Sequence, residues 1–150
     1  MNKDLVPLVS YLASLIICQG VKPFVMYFKT GKFSLKHVTD SGGYPSAHSA
    51  GVASLAFAIG LKDGFDSSLF AIAFVLALIV IFDAMNVRWY AGENNRVTNK
   101  LVSDLHDQID ADDPIYRTKL KDVLGHKPPE LVVGILLGII ISTVVYYIWR

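Results

Sequence analysis

From Glu130 to Trp149 the chain reads ELVVGILLGIIISTVVYYIW, a run in which Glu130 is the only charged residue. A helix of that length rises roughly 30 Å, the thickness of a bilayer's hydrocarbon core. Backbone N–H and C=O groups at that depth have no water to bond, so the stretch must close its hydrogen bonds internally as a helix. Three further segments can then sit at the same depth. Leu69 to Tyr90 is strongly apolar up to Asp83; Leu5 to Phe28 is long enough but interrupted by Gln19, Lys22 and Pro23; Pro45 to Leu61 is shorter and rich in Ala, Ser and Gly. The pattern predicts an all-α fold: an integral membrane bundle of about four bilayer-depth helices, built as one domain over residues 1–150.

Composition agrees. The chain is 53% hydrophobic with a mean hydropathy of +0.44, too apolar for an ordinary soluble fold of this size. Fourteen Lys and Arg against thirteen Asp and Glu leave a net charge of +1, which gives no overall field for nucleic acid. Cys18 stands alone, which excludes an intrachain disulfide, and no Cys/His spacing suits structural zinc. No small-x-small cleavage pattern follows the first apolar stretch, so Met1 onward is expected to belong to the mature protein.

Between the apolar segments lie a basic loop (Lys29 to Tyr44), a tight turn (Lys62 to Ser68) and a long polar segment (Ala91 to Pro128). Within the last, Val97, Leu101, Leu105 and Ile109 recur at helical spacing opposite Lys100, Asp104 and Asp107, which predicts an amphipathic helix at the bilayer interface. A second short helix is expected from Pro114, capped by Asp113, to Gly125. If all four segments span, the two longer loops share one side. That side carries Lys29, Lys32, Lys36, Arg96, Lys100, Arg117, Lys119, Lys121 and Lys127, against Lys3, Lys62 and Arg150 on the other. The positive-inside rule then predicts cytoplasmic loops and both termini outside.

Ionisable groups at membrane depth are costly, which makes each a functional candidate. Here they gather by depth: Lys22 near the end of the first segment, His48 at the start of the second, Asp83 and Arg88 late in the third, His126 and Glu130 at the start of the fourth. In Ser41-Gly42-Gly43-Tyr44-Pro45-Ser46-Ala47-His48, glycines allow close backbone approach, Ser46 can cap the helix or bond an oxyanion, and first-turn N–H groups face any anion that arrives. His48 can protonate a leaving oxygen. The Pro128-Pro129 pair delivers His126 to the mouth of the last span, and Glu130, four residues on, can accept from one imidazole nitrogen and leave the other free to attack. On an unbroken α-helix Asp83 and Arg88 point about 140° apart, so Asp83 is expected to face Asn86 and Tyr90 instead, as a supporting network or a divalent-ion site.

Together these residues resemble the divergent branch of the type 2 phosphatidic acid phosphatases, relatives of the vanadium haloperoxidases, over nearly the whole chain. Pro45-Ser46-Ala47-His48 is similar to that superfamily's Pro-Ser-Gly-His block, and His126 to Glu130 to its final His-x-x-x-Asp, with Glu for Asp. Lys22 is similar to the first-block lysine, although Lys29 stands seven further on in place of arginine. The arginine expected six residues before His126 is Leu120, and Arg88, within Asp83-Ala84-x-x-Val87-Arg88, is the better stand-in. The resemblance implies in-line phosphoryl transfer with no obligatory cofactor or metal. Lys22, Ser46 and Arg88 would hold the phosphate, His126 would attack to give a phosphohistidine, Glu130 would orient it, and His48 would protonate the leaving group and then activate water. Its substrates would be lipid phosphates or isoprenoid diphosphates.

Two other readings compete. Metal-assisted hydrolysis would use a divalent cation at Asp83 and His48, with His106 and Asp104, Asp107, Asp110, Asp112 or Asp113 as further ligands. A non-catalytic lipid-phosphate binding or transport protein could use the same scaffold. Gly134 and Gly138 form a Gly-x-x-x-Gly face suited to packing within the chain or across a homodimer.

Overall fold

A computed structural model of the chain describes residues 3–31, 33–34, 43–105, 113–122 and 125–149, and among these there is no strand. The helices are α1 (Val6–Thr30), α2 (Ala47–Asp63), α3 (Ser68–Phe82), α4 (Arg88–Asp104), the single turn α5 (Pro114–Arg117) and α6 (Pro128–Trp149); a π-helical turn, Asp83–Val87, joins α3 to α4. The all-α bundle read from the sequence is therefore the fold.

α1 runs through Gln19, Lys22 and Pro23 without a break and stops at Gly31, whose φ of 69° no side-chain-bearing residue adopts readily and whose N–H closes onto Tyr27 O at 2.8 Å. α2 is the axis of the bundle. Its Ala, Ser and Gly surface lets neighbouring backbones come close, which substitutes for the hydrophobic drive that helices lack inside a bilayer. Against it α3 buries Ala73 and Ala77 in a cluster with Val52, Ala56 and Ile59. Phe70, Val80 and Ile81 pack partly against that cluster, whereas Leu69, Ile72, Val75, Leu76 and Ile79 are exposed on the bundle's outside, where lipid tails are the solvent. From the other side α6 presents its two glycines: a Cβ on Gly134 would lie 2.5 Å from Ser46 O, and one on Gly138 2.3 Å from Ala50 O. The Gly-x-x-x-Gly face is thus used within the chain.

Among the described residues three helices are long and apolar enough to cross a membrane: Lys3–Phe28, Ser68–Asp104 and Pro128–Trp149. α2, 17 residues long, is sheltered among them. The chain ends and the α2–α3 turn meet at one end of the bundle, where Lys62 Nζ lies 3.0 Å from Asp4 Oδ1 and Val6 packs with Val145 and Trp149.

The long polar segment differs from expectation in two ways. The amphipathic stretch is no separate helix: α3, the π turn and α4 form one helix of 37 residues, roughly 55 Å long, which outruns the bilayer. No proline stands between Ser68 and Asp104 to interrupt it, and Gly92, the one glycine there, is carried within the helix. Val97, Leu101 and Leu105 are exposed along it, whereas Asp107 and Ile109 lie outside the described residues. The helix expected to reach Gly125 is only the turn Pro114–Arg117. Beyond it the backbone is claimed by α4: Asn99 donates to Leu120 O at 2.8 Å and accepts from Leu120 N at 3.0 Å, and Asn95 donates to Lys121 O at 2.8 Å. These amide side chains satisfy peptide groups that a helix would otherwise have to pair.

Candidate active site

Opposite the end that holds the termini, four elements converge. Ser46, fully buried, caps α2 by accepting from Ser49 N at 3.3 Å and pairs with Ser49 Oγ at 3.0 Å. Of the two roles its position allowed, the hydroxyl is engaged in capping, while its backbone N–H donates to Glu130 O at 3.1 Å. That bond and the Gly134 contact lock the start of α2 to the start of α6. First-turn N–H groups of α2 at Ala47 and His48 have no intrahelical acceptor, as at any helix start, and they face the same end as the histidines.

His126 is 3% exposed. Its Nδ1 donates to Glu130 Oε2 at 3.1 Å, and the same oxygen accepts from Lys127 N at 3.2 Å. Held at two points, the carboxylate sets the tautomer: the proton sits on Nδ1 and the lone pair on Nε2. Nε2 is buried and has no hydrogen-bond partner among the described residues. Burial pushes the His126 imidazole below the ordinary histidine range, outweighing Glu130, whose hydrogen bond and charge favour the protonated ring. The ring is therefore neutral at pH 7; its Nε2 meets no acceptor or donor at hydrogen-bond geometry among the described residues, although the Gly43 backbone stands close enough to favour the protonated ring.

The His48 ring lies with its centroid 6.4 Å from that of His126. Of the charges around it Arg88 acts most strongly and, like His126 and Lys22, opposes a proton on the ring, while Asp83 favours one, so this imidazole is within electrostatic reach of candidates from α1, the π turn, α4 and the α6 approach. Lys22 is buried at 3% exposure on α1 and acts on both histidines.

Arg88 reaches this place by a route the sequence did not suggest. Its Nε donates to Asp83 Oδ2 at 2.7 Å, so the expectation that the two side chains diverge is wrong. The π turn is the reason: Arg88 N–H bonds Asp83 O five residues back, which closes the angle that α-geometry would have opened. Asn86 does not join Asp83 but donates to Phe82 O at 3.2 Å, and Tyr90 is 60% exposed. The same turn frees Ala84 O to accept from His126 N at 3.1 Å. Beside it Gly125, with φ 82°, lies so near α4 that a Cβ would stand 2.7 Å from Trp89 N. Gly125 ends no helix; it is the residue that lets the His126 segment touch the start of α4. The Ala84 carbonyl and this close approach were missed from sequence, where a glycine directly before the candidate nucleophile was their only trace.

Among the described residues no three His, Cys, Asp or Glu side chains group as a metal site. His106, Asp107, Asp110 and Asp112 lie outside the described residues.

The sequence profile of the Divergent PAP2 family matches residues 4–141. The chain belongs to that family. An "uncharacterized membrane protein YuiD" of Bacillus subtilis (strain 168) is 40% identical over 148 residues, covering 94% of each chain. No solved structure matches. Membership in the Divergent PAP2 family and the apolar helices together make this an integral membrane protein on a PAP2-like scaffold.

Proposed function

We propose that the protein is a lipid-phosphate phosphatase working through a phosphohistidine. One observation carries the reading: a buried His126 whose Nδ1 is held by Glu130 and whose Nε2 has no hydrogen-bond partner among the described residues, with a second imidazole 6.4 Å away, centroid to centroid. Reacting atoms need an approach of roughly 3–3.5 Å, so the two rings are close enough to meet one phosphate group between them, one at phosphorus and the other at the leaving oxygen. His126 Nε2 attacks phosphorus as the P–O bond to the lipid breaks, and the departing alkoxide takes a proton from His48. His48 then removes a proton from water, which attacks the phosphohistidine; the P–N bond breaks, phosphate leaves and His126 is restored. Lys22, Arg88 and the first N–H groups of α2 neutralise the phosphoryl oxygens, and the dianion favours protonated His48 before the first step.

The substrate class is a lipid phosphomonoester or isoprenoid diphosphate, because a head group can reach the cluster while its tail stays among the exposed apolar residues of α3 and α6. The nine Lys and Arg that fall between the apolar segments on this side support a cytoplasmic site end with both termini outside. The test is phosphate release by the purified protein in nanodiscs from a panel of lipid phosphates and isoprenoid diphosphates, with and without chelator, for wild type, His126→Ala and His48→Ala. Release that survives chelation and is lost in both variants is expected. Phosphate binding without release would make the protein a carrier, abolition by chelation would make it a metal-dependent hydrolase, and unchanged turnover in both variants would remove the histidine mechanism.

A further inference from the structure

We infer that Asp83 is the positioning residue for the phosphate-binding arginine, and that the π turn exists to bring the two together; this rests on the proposed reading that an oxyanion occupies the site. Arg88 offers five N–H donors in a fixed planar fork. Asp83 Oδ2 engages the Nε edge at 2.7 Å, and among the described residues the terminal nitrogens take no protein partner. That division matters. A carboxylate on the Nε edge fixes the plane and direction of the guanidinium while leaving its outer donors for a second, incoming anion. Both side chains are part-exposed, Arg88 at 40% and Asp83 at 37%, so an arginine without this tether would spread over many rotamers and pay their entropy on binding.

The backbone is arranged for the same end. An α-helical register would send Asp83 about 140° away from Arg88; the bond from Arg88 N–H to Asp83 O removes that divergence at the cost of one irregular turn inside a long helix. The irregularity is secured from outside by His126 N, which donates to Ala84 O at 3.1 Å, and by Gly125 against the Trp89 backbone. One turn thus sets the arginine through a side chain and the nucleophile's segment through a carbonyl. A registry shift there would move both together.

The proposal has a sign that separates it from simple electrostatics. Asp83 puts a negative charge beside an anion site, so if charge were its only effect, Asp83→Asn would tighten phosphate binding. If it positions Arg88, the same change weakens binding. The experiment titrates inorganic phosphate into the full chain in nanodiscs by calorimetry and follows lipid-phosphate turnover alongside, with folding checked by circular dichroism. Asp83→Asn is expected to weaken phosphate about tenfold, close to the loss in Arg88→Ala, and to add nothing in the Arg88→Ala background. Arg88→Lys, a point charge that cannot serve two anions along separate edges, is expected to lose nearly as much. Unchanged or tighter binding in Asp83→Asn, or a further loss in the double variant, overturns the inference while wild-type turnover keeps the phosphatase reading. Wild type that neither binds phosphate nor releases it overturns both. Should Asp83→Asn not fold, Asp83→Glu, which shifts the acceptor by one methylene, is expected to fall in between, and wild-type affinity there overturns the inference.

Discussion

The two ends of the bundle handle charge in opposite ways. At the end with the termini, Lys62 contacts both Asp4 and Asp63, at 3.0 and 2.9 Å, and Asp4 is largely in solvent. Those charges are paired with one another and close to water, an arrangement that contributes little to stability and leaves nothing to react. At the other end His126 is 3% exposed with no hydrogen-bond partner for Nε2 among the described residues, and among those residues the terminal donors of Arg88 take none. Burial of groups with unused bonding capacity is expensive. Ser10 and Ser14 also bury hydroxyls without a hydrogen bond among the described residues, but at the His126 end such groups gather beside two imidazoles and an arginine, which marks where a ligand is expected to complete the bonds.

The largest effect that could break this contrast is at the nucleophile. His126→Ala should lower phosphate release by about 10³-fold or more while the helix content by circular dichroism stays unchanged. Release within a few-fold of wild type would mean the buried end is no more reactive than the exposed one.

Glu130→Gln should cost about 10- to 100-fold, the usual loss when the group orienting an imidazole is changed. It also has a pH signature. Burial holds the His126 pKa below the ordinary histidine value, so the acid limb of the pH profile should lie below pH 6.5 in wild type. Glu130 favours the protonated ring; with glutamine in its place the pKa falls further, and the acid limb should move to still lower pH. A shift towards higher pH would contradict the assigned geometry.

Gly138→Ala sharpens the comparison at the level of packing. Its new Cβ would stand 2.3 Å from Ala50 O, both backbone-bound, so α6 must move away from α2 and carry Glu130 with it. Overpacking of this kind costs about 1–3 kcal/mol. A lowered Tm together with a few-fold fall in release is expected; an unchanged Tm would show that the α2–α6 contact is looser than described.

The smallest effect belongs to the other end. Lys62→Ala should leave phosphate release at the wild-type value, because its partners Asp4 and Asp63 are remote from both histidines. A clear loss there would mean that the two ends are coupled through α2.

Much of this protein is legible before any coordinate. The apolar runs required a helical membrane bundle, because lipid offers peptide groups no alternative partners. His126 and Glu130, four apart behind two prolines, pair as their spacing suggested, and Gly134 and Gly138 serve as a packing face. Periodicity and local spacing carry such features, since both partners lie within one or two helical turns. What the residues could not disclose is the π turn. It has no distinguishing composition in Asp83-Ala84-Met85-Asn86-Val87; it is a slip of hydrogen-bond register, and the His126 N–H that helps hold it arrives from 42 positions away by residue number, as the difference between 126 and 84. For the same reason α4 continues α3, and residues 118–122 lie along α4 rather than coil: Asn95 and Asn99 compete for their backbone only once the segment has folded back. Local propensity chose the elements. Which donor met which acceptor across them, and so where Arg88 points, was decided by tertiary contacts that no window of sequence contains.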